Sequence, residues 1–78
     1  MTRERLTVLA HTVTQMKHAF SEGRDWDAWV VYQPIGDRPT DEDGVLEEIL
    51  YVCNQLDPKE RNVIKSYQEA DRKAHGQA

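Results

Sequence analysis

The sequence predicts an all-α fold, a small bundle of three to four short helices, on three observations. Apolar residues recur at spacings of three and four over long stretches. Capping residues, glycines and prolines punctuate those stretches where helices start and stop. No two segments make convincing strand partners, and a lone strand would leave its backbone groups unpaired. Residues 26–35 are the one stretch also open to an extended reading.

The first helix is expected from Thr2 to about Glu22. Leu6, Leu9, Val13, Met16 and Phe20 form one apolar stripe, widened by Val8 and Ala19. Thr2 can cap its start, and Gly23 stands where a left-handed residue would close it. The stripe is too short for a coiled coil and suits a helix packed on its own bundle.

In the second segment Asp25 can cap a short helix with Trp26, Trp29 and Val30 on one face, stopped before Pro34. Trp29-Val30-Val31-Tyr32 is rich in strand formers, which keeps the extended alternative open, with helix favoured. Gly36-Asp37-Arg38-Pro39 reads as a turn or loop.

Thr40 then precedes Asp41, Glu42 and Asp43, an acidic first turn suited to the positive end of a helix. Val45, Leu46, Ile49, Leu50, Val52, Cys53 and Leu56 give it a broad apolar face, so it is expected to form the centre of the core. Asp57, Pro58 and Glu60 spell a capping box with proline at the first helical position. The stripe behind them is thin: Val63, Ile64, Tyr67, Ala70 and Ala74. Residues 75–78 are expected to fray. The 78 residues are read as one small domain.

Composition narrows the function. The chain is 38% hydrophobic and 31% charged, with mean hydropathy -0.78. No apolar run approaches the length of a membrane span. The opening from Met1 to His11 turns polar too soon for a secretory signal. Cys53, the sole cysteine, cannot form an internal disulfide, so a cytoplasmic setting is expected. A core this small favours partners over substrates, and a homodimer is one expectation.

Charge is distributed unevenly. Residues 22–57 hold ten carboxylates against Arg24 and Arg38, a net -8, while each flank carries +2; together these make the formal -4. Most of the aromatic residues lie in that acidic centre. Trp and Tyr beside carboxylates make an interface able to meet a basic or mixed face, although the core competes for the same aromatics. The expected partner-binding set is Asp25, Trp26, Asp27, Trp29, Tyr32, Asp41, Glu42, Asp43, Glu47 and Glu48. The function expected of it is non-catalytic: a protein-binding module or regulator that occupies a partner's surface.

An alternative is a phage-type or plasmid-type inhibitor whose carboxylates imitate phosphates and block a DNA-binding or RNA-binding complex. The third is weak DNA binding through Arg61, Lys65, Arg72 and Lys73, opposed by the interleaved Glu60, Glu69 and Asp71. Leu56-Asp57-Pro58-Lys59-Glu60-Arg61-Asn62-Val63-Ile64 is similar to the opening of a sigma-factor region 4 helix. No turn and recognition helix follow those residues, and binding to nucleic acid is not expected.

Catalysis and metal binding find little support. Asp41-Glu42-Asp43-Gly44 has part of a calcium-loop pattern, but Pro39 and Leu50 occupy two ligand positions. His11 and His18 share a helix face, while His75 and Cys53 are scattered, so no zinc set forms. Cys53 sits in an apolar run with no basic neighbour in sequence and reads as a core thiol. Ser21 and Ser66 have no catalytic surroundings, and no cofactor is expected.

Overall fold

The computed structural model describes residues 2–76, and among these it contains four helices and no strand. They are α1 (Arg3–Ser21), α2 (Asp25–Gly36), α3 (Asp43–Gln55) and α4 (Pro58–His75). The molecule measures 38 × 33 × 18 Å, a slab about two helices thick.

Local chemistry sets most boundaries. The Thr2 hydroxyl accepts from the Arg5 N–H at 3.1 Å and caps α1. Gly23, at φ 73°, closes that helix in the left-handed region. The Arg24 N–H reaches back to the Ala19 carbonyl at 2.8 Å and the Gly23 N–H to Phe20 at 3.1 Å, a Schellman motif that folds α2 back against α1. Asp57 and Glu60 form the expected capping box, the Asp57 N–H donating to Glu60 Oε1 at 2.9 Å.

The segment 26–35 is helical, and α2 runs through Pro34 to Gly36 instead of stopping before the proline. Proline removes one N–H bond from the last turn, where the loss costs least. Burying Ile35 on the stripe of Ala28 and Tyr32 outweighs it. The following helix starts at Asp43, later than the acidic run suggested, with no side-chain cap. Three consecutive acids suit a helix start equally well, so local chemistry leaves that register open. Helix α4 includes His75; residues 77–78 of the expected tail lie outside the described residues.

The core also departs from expectation. Its centre is the α1–α2 hairpin, which buries Leu9, Val13, Met16 and Ala19 against Ala28, Trp29, Tyr32 and Ile35. Helix α3 adds Val45 and Val52, followed by Leu56, while Leu46 and Leu50 of its apolar face remain in solvent. A slab two helices thick can cover only one side of α3.

Candidate functional site

Trp26 and Trp29 leave α2 about 60° apart around the helix axis, and the edge of the core runs between them. Trp29 is 2% exposed and Trp26 is 59% exposed. Both touch Tyr67 of α4. The Trp29 ring stacks on it with centroids 6.1 Å apart, and Trp26 meets it edge-on at 5.5 Å. Tyr67 therefore orients an indole that the core does not enclose.

Sequence reasoning assigned Tyr67 to a thin core stripe and did not connect it with the tryptophans. No local signal links side chains on two separate helices. What the sequence did carry was the phase of Val63, Ile64 and Tyr67, which turns Tyr67 toward the bundle.

The expected site divides. Trp29 and Tyr32 are core residues, each 2% exposed, and are withdrawn as docking anchors. Tyr32 packs so close to the backbone that a Cβ on Gly36 would lie 2.5 Å from its ring. Burial first, and the neighbouring Cys53 second, push the Tyr32 phenol above its ordinary pKa.

Glu48 is withdrawn as well. It is buried, and Arg5 holds it in a bidentate grip at 2.6 and 2.9 Å while Arg38 adds a third bond at 2.8 Å. The Arg5 hydrogen bonds hold its carboxyl below the ordinary value against the upward pull of burial, with Arg38 assisting. This carboxylate ties α3 to the start of α1 and to the loop after α2.

The remaining expected residues are reachable to different degrees. Asp27 is exposed and paired with Arg24 at 2.7 Å, and Arg24 also bridges to Glu22. Asp25 is half-buried and lines an open groove of about 590 Å³ between the end of α1 and the start of α4. Phe20 and Val63 supply apolar lining there, and Lys17, Lys59 and Asp57 supply charge. Lys17 also bonds Glu60 at 2.9 Å. Burial pushes the Glu60 carboxyl upward, but the Asp57 N–H and Lys17 outweigh it and leave it below its ordinary value. Asp41, Glu42, Asp43 and Glu47 are exposed in and after the turn leading into α3.

The structure also gives Cys53 basic surroundings that its sequence neighbours lack. It shares a cavity of about 280 Å³ with Tyr32, Leu56, Ile64, Arg61 and Lys65. Among the described residues no group of three His, Cys, Asp or Glu side chains is placed to hold a metal ion, and no helix is long and apolar enough to cross a membrane.

These features define a class, a four-helix bundle with one oriented, solvent-facing tryptophan at the edge of its core. Comparison with protein-family models, curated proteins and solved structures finds no match for the chain.

Proposed function

We propose that this protein is a non-catalytic binding module that occupies the surface of a partner protein. Docking uses Trp26 and Asp27 at the start of α2; the acidic turn from Asp41 to Asp43 follows the other end of that helix. The observation that carries the proposal is the 59% exposure of Trp26 with its ring edge-on against Tyr67. An exposed indole costs solvation, and one already packed along an edge has less side-chain entropy to lose on binding. Val30, one turn along α2, is also exposed and extends the apolar contact. Asp25 and Asp27 flank this anchor, with Asp27 paired to the exposed Arg24, and that mixture of charge favours a partner with a mixed face.

The test is retention of a partner from cell lysate by immobilised protein, followed by titration of whatever is retained. Trp26→Ala should weaken binding by about 1–4 kcal/mol, with Asp27→Asn reducing mainly the association rate. Unchanged affinity in both variants, each with wild-type circular dichroism, would remove the proposal.

A further inference from the structure

Helix α3 presents an apolar stripe to solvent on the side away from its core contacts. Leu46 and Leu50 lie one turn apart and are 42% and 51% exposed, whereas Val45 and Val52 face inward. The charged residues of α3 and of positions 39–42 before it are all acidic, and two cations that reach them, Arg5 and Arg38, are both bonded to Glu48. Residues 39–58 contain no Lys, Arg or His. Asp41, Glu42 and Asp43 are exposed, and none of the three forms an ion pair among the described residues.

We infer that this face docks a basic amphipathic helix of the partner protein, with Leu46 and Leu50 as apolar contacts and Asp41, Glu42 and Asp43 selecting for Lys and Arg. Two leucines at i and i+4 match the apolar anchors that a crossing helix presents at the same interval. The surrounding carboxylates attract cationic flanks and repel acidic ones, so specificity comes from both attraction and repulsion. The same charge disfavours phosphate backbones and anionic lipid. The basic end of α4 in a second copy of this chain fits less well, since it carries only Ala70 and Ala74 as apolar residues beside Arg72 and Lys73.

The inference rests on the reading of the protein as a binding module, and its test does not involve Trp26. The probes are three fluorescein-labelled peptides of about 18 residues, five helical turns. One has a leucine stripe flanked by lysines, one has the same stripe flanked by glutamates, and one is a scramble of the first. Fluorescence anisotropy should show the lysine peptide binding at least tenfold more tightly than either control, and less tightly as salt rises from about 50 to about 500 mM. Leu50→Lys, with its fold checked by thermal melting, should lose about tenfold in affinity. The combined change Asp41→Asn, Glu42→Gln and Asp43→Asn should flatten the salt dependence.

Equal binding of the lysine and glutamate peptides, or of the scramble, would overturn the inference. So would a concentration-dependent dimer in sedimentation equilibrium that Leu50→Lys dissociates, because the occupant would then be a second copy. Peptide selectivity that persists while Trp26→Ala leaves partner capture unchanged would remove only the Trp26 anchor. Lost selectivity with capture still dependent on Trp26 would remove only the α3 inference.

Discussion

Arg5 and Glu48, 43 residues apart in sequence, are joined by two hydrogen bonds of 2.6 and 2.9 Å. Arg38 closes the other side of the same carboxylate at 2.8 Å. One buried acid thereby fixes the start of α1, the loop after α2 and the face that α3 turns inward.

Removing that charge should loosen all three. Glu48→Gln leaves two guanidinium groups facing a neutral amide and should cost about 1–3 kcal/mol in chemical denaturation. Arg38→Ala should cost about 1 kcal/mol or less, since its guanidinium is half-exposed and screened.

Acid should destabilise the bundle through Glu48 and Glu60. Glu48 and Glu60 both have folded pKa values below their ordinary 4.5. A depressed folded pKa contributes stability that is fully present above the unfolded value and lost as pH falls through the folded one. The thermal midpoint should therefore change little through these groups from about pH 7 to about pH 5 and fall below about pH 4.5. In Glu48→Gln the acid-side slope should be shallower, which melts recorded across that range would measure.

The two tryptophans should separate cleanly. Trp29→Ala empties the core and should cost about 3–5 kcal/mol, while Trp26→Ala loses mainly its edge contact with Tyr67 and should cost about 0.5–1.5 kcal/mol. In Trp26→Phe the remaining emission should be blue-shifted and protected from iodide quenching. Emission from Trp29→Phe should be red-shifted and readily quenched.

Two glycines should resist substitution for different reasons. Gly23→Ala meets open space but must hold φ near 73°, a strain of about 1–2 kcal/mol. Gly36→Ala has ordinary dihedral freedom but drives its methyl into the buried Tyr32 ring, an overpacking cost of about 1–3 kcal/mol. Gly23→Asn should recover part of the first loss, and Gly36→Asn should recover none of the second; denaturation midpoints of the four variants test both.

Much of the fold was legible because its signals are local. The Thr2 cap, the Gly23 stop and the Asp57–Glu60 box each depend on residues within a few positions of one another, and each forms as expected. The end of α2 and the start of α3 were misplaced because tertiary burial of Ile35 overrides Pro34 and because adjacent acids leave the register open. The candidate site was legible only as a composition, aromatic residues among acids. Trp26 and Trp29 share the same residue type, the same helix and nearly the same face, and no local feature tells which one the core will take.

By itself, then, the sequence determined that the chain is helical, where most helices begin and end, and that its middle is acidic. Those properties follow from spacing and from interactions that span at most a turn or two. The tertiary structure alone decided that Tyr67 would stack on Trp29 and leave Trp26 in solvent. It also decided that Glu48 would be consumed by Arg5 and Arg38, and that Leu46 and Leu50 would stay uncovered. Each of those outcomes depends on which helix face lies against which neighbour, and in a slab only 18 Å deep there is not enough interior for every apolar face.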